Sequence, residues 1–232
     1  MKPDLIILPG WSGNKLMWQH QVQTLSDICN PKVIVVYDQN TLEKMADAIL
    51  KQAPDKFILV GHSLGGWLAQ YIAIKVPTRV IKLILISTWC GRSDSSLDLL
   101  CQKNIRQIQT GKVTKLLNEL RPMNVYSNRQ SDKKFMEQIK DSQNQFPPTG
   151  MIAQLEVVLN GGDLENLLEQ IKCPTLVIHG RYDAFFSLED LQLLATKIPN
   201  AYLTIIEECG HLPSIERPEA VSSLIRLWVQ LK

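Results

Sequence analysis

The sequence predicts an α/β fold: a doubly wound, mainly parallel sheet of about six strands, with a helical insertion lying over it. Three observations carry this. Short apolar runs recur along the 232 residues, helical patterns lie between them, and the alternation stops near Gly91 and resumes after Gly162.

The strand candidates are residues 5–8, 33–36, 57–60, 81–86, 175–179 and 202–206. Each is apolar almost throughout, as a strand covered on both faces requires. Helical patterns at 18–25 and 42–52 separate the first pairs, and another at 67–75 follows the third strand. Right-handed crossovers then wind the sheet in both directions. From 91 to 161 there is no strand pattern. Helical stretches at 97–109, 113–120, 132–143 and 151–159 are parted by Gly111, by Arg121-Pro122 and by Pro147-Pro148-Thr149-Gly150. A structureless loop of that length would be out of keeping with a compact domain. The expectation is a core at 1–90 and 162–232 and a helical cap at 91–161, with a last helix at 218–230.

Composition narrows the function classes. Hydrophobic residues at 45% and charged residues at 21% are ordinary for a globular protein. A formal charge of +2 gives no reason to expect a nucleic-acid partner. Five scattered cysteines, an odd number, read as reduced thiols and a cytoplasmic location. No His-x-x-x-His or Cys-x-x-Cys pair occurs, so no metal is expected. The chain enters its first strand at once, so no signal peptide is expected, and no apolar run reaches the roughly 18 residues of a membrane span.

Gly61-His62-Ser63-Leu64-Gly65-Gly66 follows the strand candidate at 57–60 and precedes the helical pattern at 67–75. A serine held on a sharp strand-to-helix turn needs small neighbours, because the backbone is strained and the two elements approach closely. The helix that follows turns its N-terminal dipole toward developing negative charge. Gly-x-Ser-x-Gly arises by chance in about one chain in ten of this length. The placement therefore carries the reading, and the bland alternative is a glycine-rich turn with an idle serine.

A serine hydroxyl needs a base, and the base needs an orienting group. On this architecture the order along the chain is Ser, acid, His, each in a loop at a strand's carboxyl end. Asp183 follows the strand ending at His179, and His211 follows the strand at 202–206. His20 reads as solvated and His179 as a core histidine. Asp190 and Glu189 belong to the next helix, and Glu207 and Glu208 stand too near His211 in sequence. The oxyanion needs two N–H donors. The backbone of Leu64 and that of Trp11, in Leu8-Pro9-Gly10-Trp11-Ser12-Gly13, are the candidates, although Trp11 and Trp67 are also plausible packing residues.

Pro9-Gly10-Trp11, the stretch from Gly61 to Gly65, Gly180-Arg181-Tyr182-Asp183, Gly210-His211 and Ile215-Glu216-Arg217-Pro218-Glu219 together resemble the α/β-hydrolase superfamily along the whole chain. Within it, LPGWSGNKLMW at 8–18, QAPDKFILVGHSLGGWLA at 52–69 and VLNGGDL at 158–164 resemble the biotin-synthesis esterases. Those act on pimeloyl-[acyl-carrier protein] methyl ester. The resemblance implies a cofactor-free Ser63–His211–Asp183 esterase that meets an acidic acyl-carrier protein through basic cap residues. Residues 92–161 hold ten Lys/Arg against seven Asp/Glu. Lys112, Lys115, Arg129 and Lys133 fall near the family's basic positions, the last two spaced to share a helix face. A merely solvated helical face is the alternative.

The chain departs from the pattern in having only Asp38-Gln39-Asn40-Thr41 where the family has a glycine-rich loop. It also begins directly at the strand before the oxyanion loop, so the family's leading hairpin is expected to be absent or truncated, and it carries His62 where these esterases often have tryptophan. A general short-chain carboxylesterase or thioesterase, and a non-catalytic ligand-binding protein of the same fold, are the alternative functions.

Overall fold

The computed structural model describes residues 2–91 and 95–231. Six strands, β1 (Asp4–Leu8), β2 (Asn30–Val33), β3 (Phe57–His62), β4 (Val80–Ile86), β5 (Thr175–Gly180) and β6 (Ala201–Ile206), form one sheet in the order β2-β1-β3-β4-β5-β6. Every neighbouring pair is parallel.

Helices α1 (Gln19–Leu25), α2 (Leu42–Leu50) and α3 (Leu64–Lys75) make the early crossovers. The period of two along a strand sorts the apolar residues into two cores. Ile6, Leu8, Phe57, Leu59, Leu83 and Leu85 face α2 and α3. Their alternates Leu5, Ile7, Ile58, Val60, Ile84 and Ile86 face α1 and the last helix, Pro218–Gln230.

Two strand expectations need correction. β2 pairs with β1 three residues earlier than the apolar run at 33–36 suggested, and Ile34 N–H makes the last bond, to Ile7 O at 3.0 Å. Ile34 and Val36 are buried all the same, so the run records burial rather than pairing. β2 bonds only β1, and an edge strand tolerates Pro31, which has no N–H to give. The expectation that all six strands are buried on both faces also fails at the other edge, where Tyr202 of β6 is 64% exposed.

The chain runs from β1 outward to β2 and then back across to β3, so the sheet changes direction between β1 and β3. In open α/β sheets the crevice beyond the carboxyl ends at such a point is where ligands bind.

Among the described residues between β4 and β5 there is no strand. Four helices fill the span: α4 (Ser95–Gln109), α5 (Val113–Leu120), α6 (Lys133–Asn144) and α7 (Pro148–Gly161). Short 3₁₀ turns at Arg121–Asn124 and Ser127–Arg129 join α5 to α6. Pro148 opens α7, where its missing N–H costs nothing, and Gly162 at φ 89° ends it.

These helices have cores of their own, one around Cys101, Leu116, Leu117, Phe146 and Met151 and one around Val125, Phe135 and Ile139. Several hydrogen bonds tie them to the loops at the sheet's carboxyl edge. Trp11 Nε1–H donates to Met151 O (3.0 Å), Ser12 N–H to Gln154 Oε1 (3.0 Å), Gln154 Nε2–H to Val36 O (3.2 Å) and Asn14 Nδ2–H to Ser142 O (2.7 Å).

All five cysteines are free. No helix among the described residues is long and apolar enough to cross a membrane.

Candidate active site

Ser63 stands between the end of β3 and the start of α3 with φ 52° and ψ −122°, a left-handed conformation that strains any residue with a side chain. Its neighbours explain how the turn is held. A Cβ on Gly61 would collide with the backbone of Gly65, and one on Gly65 with the carbonyl of Leu8. Ser63 N–H donates to Ile86 O at 3.0 Å, and its own carbonyl accepts from Thr88 Oγ1–H at 2.7 Å. The glycines allow β1, β3 and α3 to meet, and the hydrogen bonds fix the serine at their meeting point.

The loop after β1 lies against this turn. A Cβ on Gly10 would stand 2.9 Å from Ser63 Cβ, so only glycine lets the loop close over the serine. The Leu64 N–H, at the first position of α3, is one of the helix's orphan donors. Among the described residues neither it nor the Trp11 N–H donates to a backbone carbonyl, and both residues line the same cavity as Ser63.

His211 Nδ1–H donates to both oxygens of Asp183, at 3.0 and 2.9 Å. The Asp183 carboxylate is fully buried and also accepts from Phe185 N–H (2.9 Å) and Phe186 N–H (3.2 Å). Burial alone would raise its pKa. The charge and hydrogen bond of His211, with the Phe185 N–H, outweigh that and hold it at about 2. Asp183 is thus an anion at any ordinary pH, and it holds a proton of the His211 ring on Nδ1.

The other imidazole nitrogen, Nε2, is the one left for the cavity that Ser63 and His211 both line. Among the described residues Ser63 Oγ enters no hydrogen bond. In ligand-free sites such links are commonly long and tighten only with substrate.

Three further residues hold this arrangement. His62 is buried, and its Nε2–H donates to the carbonyl of His211 at 2.7 Å; that carbonyl can only accept, which fixes the tautomer. Burial, then the nearby His211, push its pKa down to about 3, so it stays neutral. Glu216, 2% exposed, accepts from Gly210 N–H (3.0 Å) and Leu212 N–H (3.2 Å) on either side of His211, and from Tyr126 N–H (2.8 Å). Burial raises its pKa while those three donors oppose the rise. His179, read above as a core histidine, is buried but lies behind the acid, with Nδ1 3.9 Å from Asp183 Oδ2.

The sequence carries only faint signs of these roles. His62 adjoins the serine, and Glu216 lies in the Ile215–Glu219 stretch, yet no spacing rule points either side chain at the backbone around His211.

The competing residues go elsewhere. His20 bonds Ser222 Oγ (3.0 Å), Asp190 and Ser187 form the capping box of α8 (Leu188–Lys197), Glu207 pairs with Arg181 (2.7 Å) and Glu208 with Arg217 (2.8 Å).

The cavity has a volume of about 140 Å³. Trp11, Met17, Leu97, Leu100, Phe185 and Phe186 give it an apolar wall. Away from it, ligand atoms of Cys90, Asp163 and Glu165 lie within 4.8 Å of one another, and Glu165 is paired with Lys197 at 3.6 Å.

Of the basic residues, Lys112, Lys115 and Lys133 are exposed, Lys115 lying 3.9 Å from Glu119. Arg129 is committed: it lies over the Phe135 ring at 4.2 Å, reaches Glu216 O at 3.4 Å and sits 3.7 Å from Asp132. It and Lys133 do not share a helix, because Arg129 ends a 3₁₀ turn and Lys133 begins α6. The spacing of four was right for a helix, but residues 130–132 break it.

A family model described as alpha/beta hydrolase fold matches residues 30–218. The chain is 28% identical, over 94% of its length and 92% of the other's, to the pimeloyl-[acyl-carrier protein] methyl ester esterase of Nitrosomonas europaea. It is 27% identical to the protein of that name from Vibrio campbellii, covering 97% and 93%. Among solved structures it resembles a thermophilic esterase from Thermogutta terrifontis, with a TM-score of 0.89 and 26% identity over 99% of this chain and 90% of that one. The enol-lactonase of Burkholderia xenovorans, at TM-score 0.91 and 19% identity over 100% and 92%, shares the fold.

Proposed function

The chain belongs to the alpha/beta hydrolase fold family, and from that premise we propose that it hydrolyses a carboxylic ester with Ser63 as nucleophile, His211 as base and Asp183 as the orienting acid. One observation carries the reading: His211 Nδ1 is bound to a buried, ionised Asp183, while Ser63 opens onto the cavity that the same imidazole lines.

Ser63 Oγ attacks the ester carbonyl as His211 Nε2 takes its proton. The N–H groups of Leu64 and Trp11 receive the oxyanion. His211 then returns the proton to the departing alcohol, and a water activated in the same way releases the acid. The residues supply nucleophile, base and oxyanion donors among themselves, so the sequence of steps requires no cofactor.

The relatives' names point to the substrate, the methyl ester of a pimeloyl group on an acyl-carrier protein. An apolar cavity suits a methylene chain. We take residues 91–161 as a cap that closes over that chain. The carrier would meet the exposed Lys112, Lys115 and Lys133, whereas Arg129 serves the packing of the cap.

Purified protein should release methanol from pimeloyl-carrier methyl ester and be labelled at Ser63 by a fluorophosphonate. Ser63→Ala should lower kcat by about 10⁴-fold or more. Undiminished turnover by that variant would refute the assignment of the nucleophile.

A further inference from the structure

The cavity's apolar wall is interrupted by side-chain amides from the helices opposite the serine. Asn104 of α4 is 5% exposed and lines the cavity, and among the described residues its amide has no hydrogen-bond partner. Gln143 of α6, also 5% exposed, lines it too. The Gln143 Oε1 accepts from Arg121 Nε–H at 3.1 Å. A guanidinium can only donate, so this bond fixes which way the amide faces and leaves Nε2–H as the atom with no partner.

These amide atoms open onto the cavity itself, so a group bound there can reach them. Two of them facing one cavity have a use when something bound there completes their bonds. From this we infer that Asn104 and Gln143 form a recognition subsite for a second, uncharged carbonyl on the substrate's acyl chain, at the end remote from the ester that is cleaved.

The chemistry of the wall selects that group. Gln143 offers a donor, and Asn104 offers donors and an acceptor, so a carbonyl oxygen is matched. No Lys, Arg, Asp or Glu lines the cavity among the described residues. A free carboxylate at the remote end would therefore lose its water without gaining a cation, which is far costlier than burying a neutral carbonyl. Ester, thioester and amide carbonyls fit; the free acid and the plain hydrocarbon do not. The subsite rests on the hydrolase reading above and names the kind of chain that Ser63 receives.

Three small esters test it with the purified enzyme: dimethyl pimelate, methyl nonanoate (the same length with methylenes in place of the remote ester) and monomethyl pimelate. The expected kcat/KM for the diester is about tenfold or more above that for each of the others. Asn104→Leu should bring the diester-to-nonanoate ratio close to one. Gln143→Glu, which removes the donor and gives Arg121 a carboxylate partner so that the fold is kept, should lower the same ratio. General damage to the enzyme would depress both substrates together and leave the ratio where it was.

Equal kcat/KM for diester and nonanoate in the unmodified enzyme overturns the subsite and leaves the hydrolase standing, as does a variant that lowers both in proportion. Efficient cleavage of monomethyl pimelate overturns the exclusion of charge. Failure to cleave any of the three overturns both readings together.

Discussion

The wall of the cavity built by the sheet's carboxyl edge differs from the wall built by α4–α7 in how its polar atoms are held. On the first, Asp183 is filled by His211 and two backbone N–H groups, His62 holds the backbone of His211, and Glu216 braces both of its neighbours. On the second, the amides of Asn104 and Gln143 open onto the cavity, with Asn104 and the Gln143 Nε2–H making no hydrogen bond among the described residues. The sheet side therefore has little freedom left, as the proposed chemistry would require of preorganised electrostatics. The facing side keeps unused hydrogen-bonding capacity, so what it accepts can change while the chemistry stays the same.

That contrast can be broken most directly at Asp183. Replacing it by Asn leaves the shape but lets His211 adopt the wrong tautomer, and kcat should fall about 10⁴-fold. A fall of less than tenfold in steady-state kinetics would show that the sheet-side wall is not what orients the imidazole.

Glu216 joins the two walls, because it also accepts from Tyr126 in the segment between α5 and α6. Gln in its place supplies one acceptor oxygen where three N–H groups converge. A loss of about 2 kcal/mol in denaturant unfolding is expected, with a fall in kcat of about tenfold. Full kcat in a destabilised variant would reduce Glu216 to a structural link.

His62 sharpens the comparison through pH. Its folded pKa of about 3 lies below the ordinary 6.5. The unfolded chain therefore binds the proton more readily, and stability is lost as pH falls from about 6.5 toward 3. The slope is about 1.4 kcal/mol per pH unit for one such group. His62→Gln keeps a donor within reach of the His211 carbonyl but cannot titrate. It should flatten the fall by about that slope between pH 6 and 4 in urea melts, and an unchanged slope would mean the imidazole is not held neutral in the fold. Asp183 acts on a different window, since its depressed pKa adds stability that is lost only as pH drops from about 4 toward 2.

The smallest effect is expected farthest from the chemistry. Lys133→Glu should raise KM for a carrier-bound ester by about two- to fivefold, more at low salt than high, through loss of attraction to an acidic partner. KM for a free methyl ester should not move. A shift in both would place Lys133 at the cavity instead of at a docking face.

Much of the fold and of the His211–Asp183 pairing is legible in the sequence, for identifiable reasons. Burial imposes the apolar runs, the sharp turn imposes the glycines around Ser63, and the order Ser63, Asp183, His211 follows from successive strand ends. Edges are less legible. Only the start of the run at 33–36 is paired, and Asn30, Pro31 and Lys32 ahead of it carry most of the pairing, because an edge strand needs backbone bonds on one side only. Arg129 and Lys133 have helical spacing without a shared helix, because the three residues between them form a turn.

By itself, then, the sequence determined the parallel sheet, the place of the break between β4 and β5, and which three side chains stand at the ends of strands. These depend on periodicity and on local turn chemistry, both of which act over a few residues. Only the tertiary structure decided that His62 points at the carbonyl of His211, that Glu216 gathers three N–H groups around that histidine, and that Asn104 and Gln143 face the serine's cavity unsatisfied. Each of those depends on the directions of side chains from elements far apart in sequence, and direction is set by packing, which no local pattern encodes.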